Sequence, residues 1–110
     1  MSDHTHCPHI LHQSAEGYLV YCQGCGGFQL SFGTFYINQS LEDLRSFAEI
    51  VNRYHHRHAT RGDRSRRDLF LETPYPSFGL LFSPRDLERL NTMLQTSLLI
   101  LEAGDPVCQQ

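Results

Sequence analysis

Cysteine and glycine are spaced in this chain as in a metal-binding knuckle. Residues 22–27 contain two cysteines separated by two residues and followed by two glycines, and Cys7-Pro8-His9 lies upstream of them. A turn of this kind brings both sulfurs to one side, and zinc prefers thiolate sulfur and imidazole nitrogen as ligands. The intervening stretch is long enough to fold back, so both motifs can reach one metal ion.

The pattern predicts one structural Zn²⁺ per chain. The predicted ligands are Cys7, His9, Cys22 and Cys25. His9 is preferred to His6 and then to His12 because, in an extended segment, it faces the same side as Cys7. A catalytic zinc keeps one coordination position for water, whereas a histidine as the fourth ligand closes the site. A structural role is therefore favoured over a catalytic one.

Other interpretations of the cysteine pair are less favoured. In a thioredoxin-like redox protein, Cys-x-x-Cys precedes a helix whose dipole lowers the thiol pKa, whereas a strand is expected after Cys25. Unligated buried cysteines are the remaining alternative. The first residues lack the basic and apolar regions of a signal peptide, which predicts a cytoplasmic location, where thiols stay reduced.

The apolar pattern predicts an α+β domain spanning 1–110, with 1–33 as a zinc-knuckle hairpin region at the N-terminus. Strands are predicted at 17–22, 28–37, 68–73 and 78–82, and helices at 40–58 and 84–103. The order β-β-α-β-β-α favours an antiparallel sheet of about four strands with both helices on one face. Apolar residues change from even to odd positions at Gly33-Thr34, which predicts a β-bulge there.

Both helices have recognisable start signals. Ser40 precedes the first apolar stripe, and Asp43 follows it by three residues. Ser83 precedes the second stripe, with Pro84 in the first turn and Asp86 three residues after the serine. Serine at the N-cap and proline in the first turn are typical of helix N-termini. The apolar stripes themselves are interpreted as core.

Composition excludes several classes of protein. The chain has 110 residues, 40% of them apolar, and a net charge of -3. That composition is not that of a disordered chain, and no apolar run approaches the ~20 residues needed to cross a bilayer. The sequence contains no Walker-type loop, no Gly-x-Ser-x-Gly and no His-Glu-x-x-His. We therefore lean against an enzyme.

A basic segment suggests an alternative function, the binding of nucleic acid. Residues 53–67 contain six arginines and one acid, and lysine is absent from the whole chain. Such a segment could bind the phosphate backbone of a nucleic acid. The candidate contacts are Arg57, Arg61, Arg64, Arg66 and Arg67. Against this, basic residues are common at the C-terminus of a helix, where they complement its dipole, and the overall charge is negative.

Four motifs together resemble a family of small bacterial proteins known as a domain of unknown function. They are Cys7-Pro8-His9, Gly17-Tyr18, Cys22-Gln23-Gly24-Cys25 and Phe28-Gln29-Leu30-Ser31-Phe32-Gly33. The resemblance is specific over 7–33, and it implies that the three cysteines and His9 act as one group. It implies no activity. The chain is also locally similar to zinc ribbons, but has Cys-x-His where a ribbon usually has Cys-x-x-Cys.

These observations lead to one functional expectation. The chain is expected to be a non-catalytic zinc-binding domain that serves as an interaction or regulatory module for a protein partner. Nucleic-acid binding through 53–67 is the alternative, and a thiol redox protein is the third hypothesis. A homodimer is also considered, because the strand at 17–22 offers apolar side chains to both of its faces.

Overall fold

The computed structural model describes residues 8–22, 24, 26–60, 62–73 and 77–104. Strands come first and form a meander. They are β1 (Pro8–Gln13), β2 (Gly17–Cys22), β3 (Gly27–Phe32) and β4 (Phe35–Gln39). The elements that follow are α1 (Leu41–Arg57), β5 (Leu69–Glu72), β6 (Gly79–Phe82) and α2 (Pro84–Ala103).

The first four strands form one antiparallel sheet in the order β1-β2-β3-β4. Helix α2 lies over β1 and β2, and α1 lies over β3 and β4, so both helices cover the same face. Leu19 and Leu30 from the sheet meet Leu44, Leu90 and the rest of the helical stripes in a single apolar cluster. The predicted α+β class, and the placement of both helices on one face, are therefore confirmed.

The predicted order β-β-α-β-β-α is wrong, because four strands precede the first helix. Residues 8–13, for which no strand was predicted, form the edge strand β1 paired with β2. Their polarity concealed the strand. An edge strand needs few apolar residues when pairing with its neighbour supplies its hydrogen bonds.

The predicted bulge in a single strand at 28–37 is also wrong. Gly33 and Thr34 form a two-residue turn that separates β3 from β4, and Phe32 pairs directly with Phe35. Gly33 has φ +59°, a conformation that side chains rarely adopt and that glycine adopts freely. Residues paired across such a turn point to the same face, so the apolar positions change parity. The sequence signal was real, but it marked a hairpin.

Strands β5 and β6 form a separate two-stranded sheet and do not extend the first one. The Tyr54 hydroxyl of α1 donates a hydrogen bond to the backbone carbonyl of Phe70 in β5. The Phe82 ring of β6 lies 6.1 Å from the Phe35 ring, measured between centroids. The small hairpin is thus attached through side chains, while its backbone pairs only internally among the described residues.

The predicted helix N-caps are confirmed. The Ser40 side chain accepts a hydrogen bond from the Asp43 amide at the start of α1. Ser83 and Asp86 form a reciprocal capping box at the start of α2, in which each side chain accepts from the other residue's amide. At the other end of α2, Gly104 caps the helix with φ +143°. Within the described residues, no helix is both long and apolar enough to cross a membrane.

Replacing Ser83 with alanine should destabilise the protein more than replacing Ser40. Ser83 is 3% exposed, so the Asp86 amide that it serves would lose its partner where water has little access. We expect a loss of about 1–2 kcal/mol for Ser83→Ala and about 0.5–1 kcal/mol for Ser40→Ala. Urea unfolding of both variants measures this. Equal losses of unfolding free energy in the two variants would show that burial of the capping box adds nothing to stability.

Candidate metal centre

The structure places two of the four predicted zinc ligands. Cys22 is the last residue of β2 and is partly buried. His9 is the second residue of β1 and is 8% exposed. Cys7 and Cys25 lie outside the described residues. Within the described part of the chain, no group of three or more His, Cys, Asp or Glu side chains could hold a metal ion.

Strand pairing brings the two halves of the predicted site to the same end of the sheet. Pro8 pairs with Cys22, and His9 pairs with Tyr21. The residue directly after Cys7 therefore lies opposite Cys22. This is the arrangement that the sequence required, because the upstream motif has to return to the Cys-x-x-Cys turn for both to share a metal.

The same pairing puts His9 and Cys22 on opposite faces of the sheet. Paired residues of antiparallel strands share a face, and neighbours along a strand alternate. His9 therefore shares the helix-covered face with Tyr21, and Cys22 lies on the open face. The strands end at Pro8 and Cys22, so a metal bound by both His9 and Cys22 has to lie beyond the end of the sheet.

The His9 ring has unsatisfied hydrogen-bonding capacity. Both ring nitrogens are buried, and neither has a hydrogen-bond partner among the described residues. The ring packs edge-on against Tyr21, with 5.8 Å between the ring centroids. A buried polar group without a partner costs free energy, of the order of 1–3 kcal/mol. A metal ion is one ligand that would satisfy such a nitrogen.

A bulge in β1 brings a second histidine to the same face. The register shifts between Ile10 and His12, so that His12 pairs with Leu19. Without this shift, His12 and His9 would lie on opposite faces, since they are three residues apart. The buried Nδ1 of His12 also has no partner among the described residues. The only sequence signal was the pair of consecutive apolar residues Ile10-Leu11, which breaks the alternation.

Cys22 lines an open depression of about 380 Å³ at this end of the sheet. Gln29 and Asn38 of the open face, and Asp43 of α1, are among the other residues that line it. No arginine or histidine lines it. Solvent, and therefore a chelator, can approach the Cys22 end of the sheet through this depression.

Three of the six arginines of 53–67 form ion pairs with acids of the same chain. Arg67 Nε lies 2.8 Å from an oxygen of Asp86, and Arg64 forms an ion pair with Glu88. Arg66 Nε lies 3.5 Å from an oxygen of Asp68. These ion pairs offset the positive charges that would attract the phosphate backbone of a nucleic acid. They weaken the nucleic-acid hypothesis.

Arg57 and Arg61 are the two other candidate contacts for a nucleic acid. The Arg57 guanidinium lies 6.0 Å from the centroid of the Tyr54 ring. Arg61 lies outside the described residues.

Burial raises the pKa of Asp86, but hydrogen bonds from Arg67 and from the Ser83 amide lower it by more, so the pKa of Asp86 lies below its ordinary value. Asp86 therefore stays ionised at neutral pH and holds Arg67 beside the α2 N-terminus.

Comparison with known proteins identifies the family. No curated protein and no solved structure matches the chain. A model of a family of unknown function, DUF6686, matches residues 4–100. This range contains both cysteine motifs, the described strands and most of α2. The chain therefore belongs to the DUF6686 family, a family of unknown function.

Proposed function

We propose that this protein is a non-catalytic zinc-binding domain in which one Zn²⁺ joins the N-terminal segment to the β2–β3 turn. The proposed ligands are Cys7, His9, Cys22 and Cys25. The observation that carries the proposal is the buried His9 ring, whose two nitrogens have no partner among the described residues. It lies at the same end of the sheet as the Cys-x-x-Cys turn, one residue from the pair formed by Pro8 and Cys22.

A metal at this position would be structural. The strand β1 is held at the sheet edge by β2 and by α2. Zinc coordinated by residues of both β1 and the β2–β3 turn would cross-link the edge strand β1 to the neighbouring strand β2. Because such a site does not exist in an unfolded chain, the free energy of binding adds to the stability of the fold.

An interaction role is supported by exposed apolar side chains on the small hairpin. Phe70 and Leu81 pair across β5 and β6 on the outer face and are 50% and 59% exposed. Phe78, just before β6, is 58% exposed. Adjacent exposed apolar residues of this size mark surfaces that bind other proteins. We assign the hairpin to the partner-binding side of the module.

Elemental analysis of the purified protein without a histidine tag tests the zinc site. We expect one zinc per chain, retained through gel filtration and removed by a strong chelator. Chelation should lower the melting temperature, and added zinc should restore it. Absence of stoichiometric metal from protein that is folded and has all its thiols reduced would refute the site.

Variants of the two β1 histidines identify the fourth ligand. His9→Gln should weaken zinc binding by at least about 10-fold, as expected for loss of a ligand. His12→Gln is the matched control, because it removes a histidine with a similarly unpartnered Nδ1 from the same strand and face. Competition with a chromophoric zinc chelator measures both affinities. Loss of affinity in the His12 variant alone would assign the ligand to His12.

A further inference from the structure

Strand β4 presents a free edge. Among the described residues it pairs only with β3, and none of their backbone hydrogen bonds leaves its other side. Phe32 and Phe35 close the two-residue turn, and such a closing pair exchanges backbone hydrogen bonds. The residues that alternate with these pairs, Tyr36 and Asn38, therefore direct their backbone N–H and C=O groups away from the sheet.

The two edges of the sheet differ in how they are protected. Strand β1 begins at Pro8, which has no backbone N–H, and its register shifts between Ile10 and His12. Proline and bulges are common devices that keep an edge strand from pairing with another chain. Strand β4 has neither a proline, nor a charge, nor a break in its register with β3. It is the unprotected edge.

We propose that β4 pairs with β4 of a second copy of the chain, antiparallel and about a two-fold axis through Ile37. This register places Tyr36 opposite Asn38 of the second copy, and Asn38 opposite its Tyr36. These are the residues whose backbone groups point outward, so each pair exchanges two hydrogen bonds. The two sheets then join into one continuous antiparallel sheet.

The side chains of β4 suit pairing with themselves. Residues 35–39 are Phe, Tyr, Ile, Asn and Gln, so no like charges meet when two copies align. Within one chain, the Tyr36 hydroxyl already donates to the Asn38 side-chain oxygen at 3.3 Å. The proposed register sets the same two residue types beside each other across the interface. Tyr36 is 51% exposed and would lose part of that exposure.

A self-association of this kind is isologous, since one surface meets its own copy. It uses the free edge rather than the open face of the sheet, and it does not depend on the metal. A symmetric partner is favoured over an unrelated strand because the Tyr36 and Asn38 positions exchange under the two-fold axis. A single strand therefore supplies both halves of the contact.

Sedimentation equilibrium of three proteins tests the proposal. The unmodified protein should be a reversible dimer. The pairs of substitutions Tyr36→Lys/Asn38→Lys and Tyr36→Glu/Asn38→Glu each set like charges opposite each other, and should raise the dimer dissociation constant by at least about 100-fold. Mixing the two variants should restore a dimer, because lysines then face glutamates. Unfolded variants could not do so.

Two further variants distinguish association through the edge of β4 from association through the open face of the sheet. Tyr18→Lys changes an exposed residue of the open face on the interior strand β2, and should leave the dimer intact. Asn38→Pro removes one outward N–H and should weaken the dimer with the fold retained. A monomeric unmodified protein at all concentrations would overturn the proposal. So would failure of the mixed variants to pair, or dissociation caused by Tyr18→Lys alone.

Discussion

Gly17→Ala is expected to destabilise the protein by about 3 kcal/mol, which corresponds to a fall in melting temperature of about 10–15 °C. A Cβ atom at Gly17 would lie 1.8 Å from the backbone oxygen of Ser31 and 2.6 Å from its carbonyl carbon. Ser31 lies in the interior strand β3, where it pairs with Tyr18 of β2 and is flanked on the other side by Tyr36 of β4. Its carbonyl can move only if the ladder moves with it.

Gly62→Ala is the matched control for this prediction. A Cβ at Gly62 would have no atom within 4 Å, and its φ lies outside the left-handed region. The same substitution there should change stability little or raise it slightly, because alanine restricts the unfolded chain. Thermal melts followed by circular dichroism compare the two variants. If both changes have the same effect, the close approach of β2 to β3 does not constrain residue 17.

If the proposed zinc site is present, Cys22→Ser is expected to cost about 3 kcal/mol or more, and to abolish the stabilisation that bound zinc would provide. The substitution replaces one sulfur by oxygen and keeps the size of the side chain nearly unchanged, so the effect of packing alone should be small. The melting temperature should fall by about 10 °C or more. It should become insensitive to chelator, because the variant has no intact site to lose.

Cys108→Ser controls for the loss of a thiol as such. Cys108 is the cysteine outside the proposed ligand set, and its replacement should leave zinc content and melting temperature unchanged. Parallel elemental analysis and melts of both variants, with and without chelator, measure the difference. An unchanged melt for Cys22→Ser, or equal falls for both variants, would contradict a structural metal at Cys22.

Local sequence signals were sufficient for the helices. Serine N-caps with an acid three residues later identified the starts of α1 and α2, and both caps are present as hydrogen bonds. Apolar residues such as Leu44 and Leu90 recurred at helical spacing and are fully buried. These features depend on contacts within a few residues, so the sequence alone could specify them.

Strand partners were harder to predict, because they depend on residues distant in sequence. The pattern at Gly33 was compatible with a bulge in one strand or a turn between two, and only pairing of Phe32 with Phe35 decided between them. Likewise, β5 and β6 have strand-like sequences, but nothing local states that they form a sheet of their own. Pairing is decided by which edge is available when the chain folds.

The candidate metal site also combines features that are local in sequence with features that depend on strand pairing. The residue types and their spacing, three cysteines with nearby histidines, were enough to suggest zinc as the bound metal. The relative placement of His9, His12 and Cys22 came from the fold, because the register of β1 on β2 sets which side chains share a face. It placed Pro8 opposite Cys22, turned His9 towards the helices, and brought His12 to the same face through a bulge. Residue types are local information, whereas a face is assigned only when a strand has its partner.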